Sequence, residues 1–215
     1  MLKQVATADF TGTTAHRQRV IAGEPGQRDI AAATSAAAAF LLALGVDTSA
    51  EHLRDTPLRM ARAYEEMLSP RDFDLTVFPN DDGYKGLVVT GKIPFNSLCE
   101  HHILPFFGGA YVGYLPGEQV VGISKLARVV EMFTLRPQTQ ERMTQEIARW
   151  LTDNLDARGI GVMVQAEHLC MTQRGAKSPG SMTMTAAWDG LLEDPSHREE
   201  FEYMIKLGQG AGRIA

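Results

Sequence analysis

The sequence predicts an α+β fold, with helices first and then an antiparallel four-stranded sheet carrying two helices on one face. From Gly86 onward the segments read in the order strand, strand, helix, helix, strand, strand. Before Gly86 the two recognisable segments both read as helices. The 215 residues, 44% hydrophobic and 22% charged, have the balance of an ordinary globular protein long enough to bury a substantial core.

Taken in order, residues 1–28 are polar and rich in Thr, Gln, Gly and Arg, with Gly23-Glu24-Pro25-Gly26 as a breaker. They read as a flexible leader. Residues 30–46 are the most apolar stretch, alanine-rich, interrupted by Thr34 and Ser35 and stopped near Gly45. This stretch is shorter than the roughly 20 residues a bilayer requires, so it reads as a helix buried in a core or between subunits. Asp55-Thr56-Pro57 places a cap and a first-turn proline before a second helix, residues 58–68, with Arg59 and Arg62 one turn apart. Residues 29–85 thus form a helical region and residues 86–215 the main domain. In that domain residues 87–90 and 110–115 read as strands. Helices follow at 124–134 and 137–154, the second opening on Pro137. Residues 159–166 and 182–188 are two more strands, and 198–205 a closing helix.

The net charge of -5 argues against broad nucleic-acid binding, which needs a basic face. A local arginine cluster on an acidic protein still suits an anionic small molecule. No apolar secretion signal opens the sequence and no segment reads as a membrane span, so a reducing cytoplasm is expected.

The two cysteines lie in Cys99-Glu100-His101-His102 and His168-Leu169-Cys170, beside three of the six histidines. Two thiolates and one imidazole leave an open position on a tetrahedral zinc, as catalytic zinc sites require. The alternatives are two ordinary buried cysteines or a disulfide. A deaminase-type zinc site is excluded, because that class needs a Cys-x-x-Cys pair and the chain has none.

Several further runs, Asp55-Thr56-Pro57-Leu58-Arg59, Pro105-Phe106, residues 122–128, residues 136–142 and Met171 with Arg174-Gly175, join the Cys-His motifs in order and spacing over about residues 29–206. Together they resemble GTP cyclohydrolase I, a zinc enzyme that opens pterin and folate biosynthesis.

The resemblance implies one zinc per subunit, held by Cys99, His102 and Cys170, which makes water nucleophilic toward C8 of the guanine of GTP. His101 matches the family's proton donor at N7, the alternative being a support for the metal site. C8 leaves as formate, and rearrangement gives 7,8-dihydroneopterin triphosphate. His168 and Ser124 match residues used near the ribose, although Ser124 also reads as a helix N-cap. Gln140 and Glu141 match the guanine-binding pair, with the Glu141 carboxylate accepting from N1–H and the exocyclic amine. The plainer reading of Glu141 is a surface carboxylate paired with a neighbouring Arg. Lys125, Arg128, Arg174, Arg59 and Arg62 match cations around the triphosphate. The family implies the tunnelling fold (T-fold) and a homo-oligomer, usually a decamer of two stacked pentamers, with active sites between subunits.

Four positions depart from the family pattern: Gln165, Glu167, Ala186 and Trp188. A carboxylate at 167, next to His168, is expected to raise the histidine's pKa. These departures keep open a diverted paralogue, serving a deazapurine-type route or stopping at the ring-opened formamidopyrimidine. A non-catalytic homologue would lack a metal ligand or His101, and none is missing.

Overall fold

The computed structural model describes residues 16–20, 22 and 28–211, so the breaker at 23–26 and most of the leader lie outside the described residues. The chain divides into two compact units, residues 23–69 and residues 1–22 with 70–215.

In the smaller unit α1 (Ile30–Ala43) packs on α2 (Thr56–Met67). Asp29 caps α1 by accepting from the Ala32 amide at 2.9 Å. Gly45, at φ 79°, supplies the left-handed residue just beyond the helix end. The sequence predicts burial for α1, yet Ala37 is its only buried residue and Phe40, Leu42 and Leu44 are 54%, 68% and 65% exposed. Within its own unit, therefore, α1 is not a core helix. In α2 Pro57 occupies the first turn as predicted, but the Asp55 side chain does not cap. It pairs with Arg59 at 3.2 Å instead.

The larger unit adds β1 (His16–Val20), β2 (Phe73–Pro79), β3 (Val88–Cys99), β4 (Pro105–Pro116), β5 (Gln119–Val121), α3 (Ile123–Thr134), β6 (Pro137–Gln138), α4 (Gln140–Asn154), β7 (Ala157–His168), α5 (Leu169–Thr172), β8 (Met182–Gly190) and α6 (Pro195–Ala211). The main sheet runs β6-β3-β4-β7-β8. The predicted four antiparallel strands are present, each longer than its sequence signal. The fifth is the two-residue parallel edge β6, pairing Pro137 with Leu98 and Gln138 with Cys99. It displaces the predicted helix start: proline is tolerated on an edge strand, and α4 begins only after Thr139, whose hydroxyl accepts from the Arg142 amide at 3.3 Å.

A second sheet, β1-β2-β5, was not foreseen. Its strands are short, and β1, HRQRV, falls in the stretch read as leader. What orders it is pairing with β2 some 50 residues away, together with complete burial of Val20.

Side chains alternate across the main sheet. Phe95, Phe106, Val112, Val162, Val164 and Ala166 share a buried cluster with Leu126, Val129, Met143 and Ile147 of α3 and α4. Tyr111, Leu115 and Trp188 belong to a separate cluster containing Phe201 of α6. Trp188 meets Phe201 edge-on at 5.2 Å and carries the Arg198 guanidinium 5.7 Å above its ring.

Gly108 leaves no room for a side chain between β4 and β7: a Cβ there would sit 1.9 Å from the Gln165 carbonyl oxygen. Gly108→Ala should cost about 1–3 kcal/mol by overpacking. The expected readout is a lower urea midpoint at unchanged slope; an unmoved midpoint would show that the strands can spread freely there.

Candidate metal centre and active site

Cys99 is the last residue of β3, and the chain reverses immediately after it. The Cys99 carbonyl accepts from the Ile103 amide at 2.8 Å and the His102 amide at 3.2 Å, while the Cys99 amide donates to the Leu104 carbonyl at 2.8 Å. This tight turn forces Ile103 to φ 53°, a conformation that costs a β-branched residue roughly 1–3 kcal/mol. The turn sets both histidines beside the thiol, with Cys99 Sγ 3.6 Å from His102 Nδ1 and 3.9 Å from His101 Nδ1.

Two strands across, β7 ends on His168, paired in register with Phe106, and Cys170 lies in the first turn of α5. The Sγ atoms of Cys99 and Cys170 and a ring nitrogen of His102 all lie within 4.8 Å of one another. Cys99 is buried, Cys170 half-buried and His102 exposed, so the cluster opens toward solvent on the imidazole side. Both thiols are free. Burial pushes the Cys170 thiol above its ordinary pKa, the neighbouring Cys99 adds to the rise, and Arg174 opposes it. A cation between the two sulfurs would stabilise them as thiolates, and two thiolates with one imidazole suit zinc.

A polar latch holds this turn against α4. The Glu100 amide donates to the Gln138 carbonyl at 3.1 Å, and the Glu100 carboxylate pairs with Arg142. Arg142 Nε donates to Gln138 Oε1 at 2.8 Å, and Gln138 Nε2 donates to Glu146 at 2.9 Å. With Arg142 taken by Glu100, the exposed Glu141 in the first turn of α4 makes no hydrogen bond or ion pair among the described residues. The surface-pair reading of Glu141 therefore finds no support.

Gln140 is 1% exposed and His168 is half-buried beside it, with His168 Nε2 2.8 Å from Gln140 Oε1. Phe106, noted in the sequence only as part of a motif, stacks on the His168 ring at 4.6 Å and 2°. Strand alternation between β4 and β7 was the signal that could have placed it there. Contrary to expectation, the His168 pKa is lowered: desolvation dominates, and the opposing carboxylate is Glu141. Glu167 points to the other face of the strand, which explains why adjacency in sequence misled.

Ser124 does not cap α3. Gly122 occupies that position, and Ser124 is an exposed first-turn residue. Lys125 and Arg128 follow on the same helix, and Arg128 donates to Glu131 Oε2 at 2.9 Å. Glu131 also takes a two-pronged contact from Arg71 at 2.6 and 2.7 Å, so its carboxyl is held below its ordinary pKa, chiefly by Arg71. Sequence reasoning missed Arg71 and Glu131, which lie in different elements with no motif linking them. Arg174 is exposed near Cys170. Arg59 and Arg62 are exposed on α2 of the smaller unit.

The sheet with its two helices and the Cys-His-Cys cluster define a class: an α+β protein with a solvent-open, three-donor group that could hold a metal ion. The sequence profile described as GTP cyclohydrolase I matches residues 33–206. The chain is 48% identical over 168 residues to GTP cyclohydrolase 1 of Aquifex aeolicus, covering 78% of this chain and 91% of that one. It is 46% identical over 176 residues to the protein of that name from Streptococcus agalactiae serotype V, covering 79% and 93%. Against the Corynebacterium glutamicum protein of the same name it is 46% identical over 180 residues, covering 81% and 92%. The chain belongs to the GTP cyclohydrolase I family and has its tunnelling fold.

Cys170→Ala should abolish stoichiometric metal binding, since it leaves one thiol and one imidazole. Elemental analysis of the purified protein measures this, and full retention of metal would refute the assignment of Cys170 as a ligand.

Proposed function

We propose that this chain hydrolyses GTP at guanine C8, releases that carbon as formate and recloses the ring to 7,8-dihydroneopterin triphosphate. Family membership makes it an enzyme of the GTP cyclohydrolase I kind, working in pterin and folate chemistry. The proposal adds the metal, the steps and the residues. Its main support is the meeting of Cys99, His102 and Cys170 within 4.8 Å beside His101.

Cys99, His102 and Cys170 would hold one zinc per subunit, which when bound supplies a Lewis acid that makes water nucleophilic near neutral pH. His101, 66% exposed and next to the cluster, donates a proton to N7 as C8 is attacked, a general-acid role an imidazole can fill. The unpaired Glu141 accepts from guanine N1–H and the exocyclic amine. Lys125, Arg128, Arg174, Arg59 and Arg62 take the triphosphate. Ser124 and His168 serve the ribose rearrangement.

GTP is the partner at the site, and a second partner is the chain itself. The exposed apolar side chains of α1 call for cover by another subunit, in keeping with a decameric assembly whose active sites form between subunits. Among the described residues no helix is long and apolar enough to cross a membrane; a cytoplasmic location completes the proposal.

The first test is incubation of zinc-loaded protein with GTP, with products read by mass spectrometry and formate measured alongside. Formate with dihydroneopterin triphosphate is expected. A ring-opened product without formate would establish the diverted reading instead. His101→Ala should keep its zinc and slow formate release by about 100-fold or more; near-normal turnover would return His101 to a supporting role.

A further inference from the structure

The hydrogen bonds around Gln140 leave its side chain only one orientation. Gln140 Nε2 lies 3.1 Å from each of the Val164 carbonyl, the Thr183 carbonyl and the Thr185 hydroxyl. Carbonyl oxygens only accept, so the nitrogen end of the amide must face them. The hydroxyls agree. Thr144 donates to the Gln140 backbone carbonyl at 2.8 Å, so its single proton is spent. Thr185, 2.7 Å from Thr144, therefore donates to Thr144 and can only accept from Gln140. A flipped amide would set an oxygen against two carbonyls in a buried site.

Gln140 Oε1 must then face His168 Nε2, 2.8 Å away, as an acceptor. The hydrogen is on Nε2, and in the neutral ring the lone pair is on Nδ1. Nδ1 has no hydrogen-bond partner among the described residues. The parallel Phe106 ring fixes the imidazole plane.

We infer that Gln140 is a positioning residue: its buried amide locks His168 as the Nε2–H tautomer, so that Nδ1 is the atom through which His168 exchanges protons with the substrate. The inference rests on the reading of His168 as a participant in the ribose rearrangement. It replaces the expectation that the Gln140 side chain touches the guanine, because every polar atom of that side chain already has a partner inside the fold.

The test uses metal-loaded enzyme labelled with [15N]histidine, with no substrate present. Solid-state 15N spectra assign the protonated nitrogen, and a His168→Gln sample identifies the signal. Nε2–H is expected for His168; an Nδ1–H tautomer in the unmutated enzyme would overturn the inference. Gln140→Met removes the acceptor at similar volume. The expected result is a mixture of tautomers with kcat about 10- to 100-fold lower and KM within about twofold of its normal value. The double variant Gln140→Met, His168→Gln should be no slower than His168→Gln alone. A raised KM with the tautomer unchanged would overturn the inference and return Gln140 to direct substrate contact. If Gln140→Met does not fold, the unmutated spectrum still decides. Because the tautomer is read without GTP, failure to turn over GTP would sink the proposed reaction and leave the tautomer assignment standing.

Discussion

The register of β4 against its two neighbours is the constraint on which the site depends. Paired antiparallel to β3 on one side and β7 on the other, β4 brings Cys99 and His168 to the same end of the sheet. Only then can the turn after Cys99 and the short helix after His168 put two sulfurs and an imidazole within bonding range of one ion. A one-residue slip of β7 would turn His168 to the opposite face and Glu167 toward the helices. Gly108 lets β4 and β7 close to the distance at which this register is made. The Gln140 amide then ties the start of α4 to β7 and β8, so the helix that carries Glu141 is placed by the same sheet that places the Cys99, His102 and Cys170 cluster.

Much of this was legible because the informative signals were local. The Cys-His motifs, the glycine after α1, the proline opening α2 and the alternating apolar strands all act over a few residues, and each appears where those residues predict it. What failed to show is nonlocal. The strand His16–Val20 has a polar sequence and exists only through its pairing with Phe73–Pro79. Pro137 carries a helix-start signal, but parallel pairing with Leu98 claims it first. Ser124 has the chemistry of a cap and sits two residues too late to be one. Gln140 was the least visible of all. A glutamine beside a glutamate in a motif suggests paired ligand contacts, and nothing in the local sequence reveals that its amide meets two carbonyls and a hydroxyl from distant strands.

Charge placement shows how an acidic chain can offer an anion site. Glu131 is shared between Arg71 and Arg128, and Glu100 occupies Arg142. These carboxylates hold guanidinium groups in fixed positions, which reduces the side-chain entropy lost when a ligand engages them. Arg128 is only partly committed, through one nitrogen to one carboxylate oxygen, so the rest of its fork stays available to phosphate. Glu141 is the exception: its neighbour Arg142 is held by Glu100, which leaves the carboxylate without a hydrogen bond or ion pair among the described residues, as its proposed contact with guanine requires.

The two faces of the sheet divide the labour, and this bears on the four positions read from the sequence as expected departures from the family pattern. Phe106, His168 and Thr185 belong to the helix-bearing face, where the Gln140 network and the approach to the metal cluster lie. Gln165, Glu167, Ala186 and Trp188 alternate with these residues and so point the other way. Trp188 has an evident use there, packing on Phe201 and under Arg198 to fasten α6. A change on that face can alter how α6 packs, but it reaches His168 only through the backbone of the strand. Strand backbone in register on both sides transmits little of such a change, because ladder hydrogen bonds on each edge fix its position. These four residues therefore bear first on packing, and the groups proposed for the chemistry keep their places independently of them.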